Sequence, residues 1–126
     1  MMKAENLLHW ILGPVRSDTR PMALAIDRMV QLLYEERRPE DDIRVTADVY
    51  AYVGRRLNKS EKAVAKSVER LTVLCWDAMD EPMRGKIIGR RLRYRPTPRE
   101  LLIYFTYYLH ARRAYCAHRK PHQPVH

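Results

Sequence analysis

Residues Val45–Trp76 read VTADVYAYVGRRLNKSEKAVAKSVERLTVLCW, with apolar positions at helical spacing on both sides of a polar hinge. Before the hinge, Val49, Tyr52, Val53 and Leu57 fall on one face of a helix that starts at about Thr46, a residue suited to N-capping. After it, Asn58-Lys59-Ser60-Glu61 reads as a second helix start, with an Asn cap and Glu three positions on. On that helix Val64, Val68, Leu71 and Cys75 form one stripe. Lys62, Lys66 and Glu69, flanked by Ala63 and Arg70, project from the opposite side. Two helices joined by two or three residues cannot turn fully antiparallel, and a short turn between angled helices is the helix-turn-helix arrangement. In that arrangement the second helix enters the major groove of DNA through its first turns, while the first helix crosses the backbone. The spacing suits any helical hairpin equally well, so other features have to decide.

Outward from this stretch the pattern stays helical. Met22, Ile26, Met29, Val30 and Leu33 mark an earlier helix with Pro21 in its first turn, and Arg37–Asp42 reads as the polar connection that ends it. Pro82 and Gly85 break the pattern, so Met83–Arg95 is expected to be a basic connector with one short helical turn near Ile87 and Ile88. Thr97-Pro98-Arg99-Glu100 supplies a Thr cap, a Pro at the first helical position and a Glu that closes a capping box. It opens a last helix, Leu101–Arg113 or slightly beyond, rich in Leu and Tyr. The expected fold class is all-α, a compact bundle of about five to six helices in one domain over residues 1–115. A flexible Pro/His tail, 116–126, is expected to follow.

The 126 residues carry 24 Lys+Arg against 15 Asp+Glu, a formal net charge of +9. Residues 1–54 have seven basic and nine acidic side chains, a net of −2, which leaves +11 for residues 55–126. Arg84–Arg99 contains seven cations and no acidic residue. Such a half suits a polyanion, because Lys and Arg that neutralise phosphates release condensed counterions. The plainer reading is that the arginines only keep a surface in solution. A membrane surface is a weaker alternative, since no helix sets a lysine face opposite a Trp/Phe face.

Val45–Trp76 also resembles the DNA-binding effector domain of stage zero sporulation protein A, the sporulation response regulator. Thr46, Tyr50, the Arg55-Arg56 pair (two lysines in that family), Asn58, Val64 and Trp76 keep their places without a gap. Arg95-Pro96-Thr97-Pro98-Arg99-Glu100-Leu101 resembles the family's Lys-Pro-Thr-Asn-Ser-Glu-Phe. Leu12-Gly13-Pro14 with Ala25-Ile26 resembles its entry helix, so the likeness spans about residues 7–109. The resemblance implies about six helices around a helix-turn-helix that binds promoter DNA, often as tandem or dimeric copies. Where the family has Arg-Val-Glu-Arg on the recognition helix, this chain has Ala63-Val64-Ala65-Lys66. Alanine offers a base at most a methyl contact and Lys66 lacks the arginine fork, so the family's target sequence does not carry over. A phosphoacceptor receiver is not expected ahead of the domain, so any switch is expected to lie elsewhere.

Other chemistry finds little support. The four glycines form no phosphate cradle, and no nucleophile elbow or zinc-protease motif occurs. His118, His122 and His126, with Cys116, recur at intervals that suggest a metal, but Pro121 and Pro124 prevent one helical face, so no metal site and no cofactor are assigned. The reading is a non-enzymatic, cytoplasmic, double-stranded DNA-binding transcriptional regulator. Lys62, Ala63, Lys66, Glu69 and Arg70 face the groove, Arg55, Arg56, Lys59 and Ser60 hold phosphates, and Arg90, Arg91, Arg93 and Arg95 extend the positive surface. The alternative is an interaction or dimerisation module that keeps the scaffold. It would bind protein, or a second copy, through Val73, Trp76 and the tyrosines of the last helix (Tyr104, Tyr107, Tyr108 and Tyr115).

Overall fold

In the computed structural model, residues 2–117 are described, with side chains to Ala111. Their regular elements are all helical: α1 (Ala4–Leu12), α2 (Arg20–Val30), α3 (Ala51–Leu57), α4 (Glu61–Ala78), α5 (Glu81–Ile88) and α6 (Pro98–Ala117), with a 3-10 turn at Glu40–Asp42. The last helix passes the expected domain end at residue 115. His118, His122, His126 and the side chain of Cys116 lie outside the description. No helix among the described residues is long and apolar enough to cross a membrane.

The helix starts follow the local chemistry, with three departures from expectation. Thr97 and Glu100 form the expected capping box: the Thr97 N–H donates to Glu100 Oε1 at 2.8 Å and the Glu100 N–H to Thr97 Oγ1 at 3.2 Å. Asn58, however, does not start α4. It ends α3 in the left-handed conformation, φ 57° and ψ 48°, which Asn tolerates better than most residues. Ser60 is the cap instead, its Oγ accepting the Ala63 N–H at 3.1 Å. Thr46 caps nothing either; Asp48 accepts the Arg44 N–H at 2.8 Å, so the turn before α3 begins at Val45. The supposed connector after Pro82 is the eight-residue α5. Asp80 caps it by accepting the Met83 N–H at 2.9 Å, Pro82 sits in its first turn, and left-handed Gly89 closes it. Only Ile87 of α5 is fully buried, so the apolar pattern that would have revealed it is nearly absent.

Two wide turns with five-residue hydrogen-bond spacing adjust the helices around α3. Gln31–Glu35 extends α2 in this way, the Glu36 N–H reaching the Gln31 carbonyl at 2.9 Å. The extra residue rotates the helix, so Leu32 becomes fully buried while Leu33, the residue that the regular period selects, is half-buried. Val45–Tyr50 leads into α3 by a similar turn. Arg28 joins the two: its Nε donates to the Asp48 carbonyl at 3.0 Å, its Nη1 to Gln31 Oε1 at 2.7 Å, and its guanidinium lies 4.3 Å over the Tyr52 ring.

The core collects Leu7, Leu8, Met22, Ile26, Met29, Leu71, Leu101, Leu102, Phe105 and Leu109 from α1, α2, α4 and α6, with Met79 just after α4. The predicted α4 stripe of Val64, Val68, Leu71 and Cys75 is wholly buried, which turns the opposite face of α4 to solvent. Burial pushes the Cys75 thiol up to about 12, so it stays protonated and unreactive. Gly85 lies inside α5 with nothing within 4 Å of where a Cβ would stand. Gly85→Ala is therefore expected to raise stability by about 0.5–1 kcal/mol by removing helix-interior glycine entropy, seen as a higher thermal midpoint.

Candidate nucleic-acid interface

Three residues, Asn58–Ser60, connect α3 to α4, and their tightness depends on Gly54. The Lys59 N–H donates to the Gly54 carbonyl at 2.8 Å, and a Cβ on Gly54 would lie 2.4 Å from the Lys59 carbonyl oxygen. Only a glycine lets the two backbones come this close. A shallow depression of about 480 Å³ opens beside the turn, lined by Gly54, Arg55, Asn58, Lys59 and Ser60 among others. Sequence reasoning passed over Gly54, although a lone glycine within a helical pattern is the ordinary sign of close backbone approach.

Around this turn the proposed groove and phosphate residues share one region of surface. Arg55, Arg56, Lys59, Lys62, Ala63, Lys66, Glu69 and Arg70 are all exposed. Among the described residues, none of the six cations in this set makes an ion pair within 4 Å; Arg56 rests on Tyr52, donating to its hydroxyl at 3.3 Å. Three of the nine carboxylates of the front half pair with its own arginines: Asp18 with Arg20 at 2.8 Å, Asp48 with Arg38 at 3.0 Å, and Glu36 with Arg28 at 3.8 Å. The Arg20 guanidinium holds the Asp18 carboxyl down at about 2, and the positive charge of Lys59 adds slightly to that field. Two carboxylates therefore stand near the turn: Asp18, committed to Arg20, and Glu61, which is exposed and lines the depression. Ser60 Oγ is engaged as the α4 cap, leaving its hydroxyl hydrogen to donate. Burial raises the Tyr50 hydroxyl to about 12, with the charge of Glu69 adding to the effect; Glu69, seven residues after Lys62, shares its open face.

Along that open face the charge changes with distance from the turn. Lys62 and Lys66 occupy the first two turns, whereas Val73 and Asp77 follow on the same side farther along. The exposed cations of α4 are thus Lys62, Lys66 and Arg70, in its first three turns, with the exposed Glu69 among them and none beyond Arg70.

The arginines after α5 divide into two kinds. Arg90 donates to the Tyr104 hydroxyl at 2.6 and 3.2 Å, and Arg91 pairs with Glu81 at 3.1 Å. These two expected cations are engaged within the chain, while Arg93 and Arg95 are exposed and make no ion pair among the described residues. Arg84 and Arg99, from the same dense run, are structural. The Arg84 guanidinium lies 3.7 Å over the Trp76 ring and donates to the Trp76 carbonyl at 2.7 Å. Arg99 donates to the Ile43 and Glu40 carbonyls, both at 2.8 Å.

The surface expected for protein docking is largely used within the chain. Arg84 covers Trp76, Val73 is half-buried, and the Tyr104 hydroxyl accepts from Arg90. The Tyr107 hydroxyl donates to the Glu40 carboxylate, its ring meets Tyr34 edge-on at 6.3 Å, and Tyr108 packs against the core. Tyr115 carries no described side chain.

Comparisons of the chain with protein-family models, with curated proteins and with solved structures found no match.

Proposed function

We propose that this chain is a non-enzymatic regulator that binds double-stranded DNA through a helix-turn-helix made of α3 and α4, as its resemblance to the sporulation effector domain implies. The observation that carries this reading is the open first half of α4. Lys62 and Lys66 face solvent without ion pairs, directly after a glycine-tightened turn flanked by Arg55, Arg56 and Lys59. That end of a recognition helix enters the major groove, and cations around the turn suit the phosphates on either side. Arg90 and Arg91 stay exposed but have surface partners, Tyr104 and Glu81, that they would exchange for a phosphate. Ala63 and Ala65 offer no bidentate base contact, so the chain reads sequence more weakly than an arginine-bearing recognition helix would.

The test is retention on mixed-sequence duplex as a function of salt. The wild-type chain is expected to lose affinity linearly in log salt, and the Arg55→Ala/Arg56→Ala variant to weaken on every duplex alike, with a slope shallower by about one to two units. A slope identical to wild type removes the pair from the interface. The absence of any salt-sensitive retention leaves the protein-interaction module, which the two alanines favour, as the better reading.

A further inference from the structure

We propose that the strap between α5 and α6 is a second duplex contact, with Arg93 and Arg95 bracketing the Tyr94 ring in the minor groove next to the major groove that α4 enters. The inference rests on the DNA-binding reading above and extends it to a second groove.

The strap is fixed at both ends and open in the middle. At its start Gly89 turns left-handed at φ 87°, and Arg90 and Arg91 are tied to Tyr104 and Glu81. At its end Pro96 is buried and Thr97 enters the capping box of α6. Between the anchors Leu92 is half-buried, while Arg93, Tyr94 and Arg95 project outward. Tyr94 is 77% exposed, more than any other large apolar or aromatic side chain among the described residues. The ring has no role in the core: it lines a shallow depression with Arg93, Glu100 and Tyr104, and its sequence neighbours Arg93 and Arg95 make no ion pair among the described residues. Its flat face and hydroxyl suit packing against the deoxyribose walls of a groove, and the arginines suit the strong negative potential of a narrow A·T-rich minor groove.

The position along the fold agrees with this. Trp76 of α4 borders the same depression as Arg91 and Leu92, so the strap begins near the far end of α4. Trp76 stands ten to fourteen residues beyond Lys66 and Lys62, roughly 15–21 Å at the rise of an α-helix. Half a turn of duplex, the step from a major groove to the adjacent minor groove, is roughly 17 Å, so the proposal requires α4 to run along the duplex and not point into it.

Anisotropy titrations of the full chain with an A·T-rich and a G·C-rich duplex of equal length test the proposal, repeated with netropsin, a ligand that fills the A·T minor groove. The wild-type chain is expected to prefer the A·T-rich duplex severalfold and to lose that preference when netropsin is present. The Arg93→Ala/Tyr94→Ala/Arg95→Ala variant is expected to bind both duplexes equally, ignore netropsin, and keep salt-sensitive binding with a slope reduced by about two units. Wild-type binding that ignores netropsin overturns the strap contact while leaving the α4 reading intact. A variant with the preference of wild type does the same. Wild-type chain that binds neither duplex at low salt overturns the DNA reading itself, and the strap contact with it.

Discussion

Gly54→Ala is expected to lower the thermal midpoint by about 4–12 °C, and to weaken duplex retention at temperatures where the variant is still folded. The added Cβ would stand 2.4 Å from the Lys59 carbonyl oxygen and 3.5 Å from the Ser60 carbonyl carbon. Both obstacles are backbone, so no rotamer change relieves the clash. The lead-in to α4 has to move away from α3, which strains the Lys59-to-Gly54 hydrogen bond of 2.8 Å and the left-handed geometry of Asn58. Overpacking of this kind costs about 1–3 kcal/mol, and each kcal/mol is worth about 4 °C in a domain of this size. Gly85→Ala is the matched control, because the same added methyl meets open space there and favours the helix. Melting both variants by circular dichroism checks the claim. A Gly54→Ala chain as stable as wild type would show that the turn does not depend on the close approach.

Arg99→Ala is expected to destabilise the fold by about 2–3 kcal/mol while leaving the salt dependence of DNA binding unchanged. Arg99 belongs to the most cationic run of the chain, yet it is half-buried and donates to the carbonyls of Glu40 and Ile43, 59 and 56 residues earlier. These bonds tie the start of α6 to the segment that leads into α3. Hydrogen bonds to a charged group are worth about 1.5–3 kcal/mol, and removing the guanidinium leaves two carbonyls without their donor. Denaturant melts give the stability loss, and retention measured below the variant's melting range gives the slope. A shallower slope would move Arg99 from the scaffold to the interface. Set beside Arg55→Ala/Arg56→Ala, where the slope is expected to fall, the pair separates arginines that hold the chain together from arginines available to a partner.

The sequence revealed most where the signal is local. The capping box at Thr97–Glu100 and the buried stripe Val64, Val68, Leu71 and Cys75 follow from period and side-chain chemistry within a few residues, and the structure has them as read. Assignments failed where two residues could do one job. Asn58 and Ser60 both cap helices well, and the tie was broken by the left-handed backbone that Asn58 adopts to end α3. Helix α5 escaped notice because it buries little, and Leu33 was preferred to Leu32 because a wide turn shifts the register by a residue that periodicity cannot anticipate. In the candidate site, the exposure of Lys62 and Lys66 was legible as the reverse of the core stripe. The commitment of Arg90, Arg91 and Arg99 to Tyr104, Glu81 and distant carbonyls was not, because an arginine's charge is the same whether it faces water or a carbonyl.

By itself, the sequence determined that the chain is helical, where α2 and α6 begin, and that its positive charge gathers after residue 54. These are sums over neighbours in the chain, and capping and periodicity act at that range. Only the tertiary structure decided which cations stay free. Folding brings Tyr104 to Arg90, Glu81 to Arg91 and the Ile43 carbonyl to Arg99, and leaves Lys62, Lys66, Arg93 and Arg95 without ionic partners among the described residues. Availability depends on which groups meet across the fold, and that distance cannot be read along the chain.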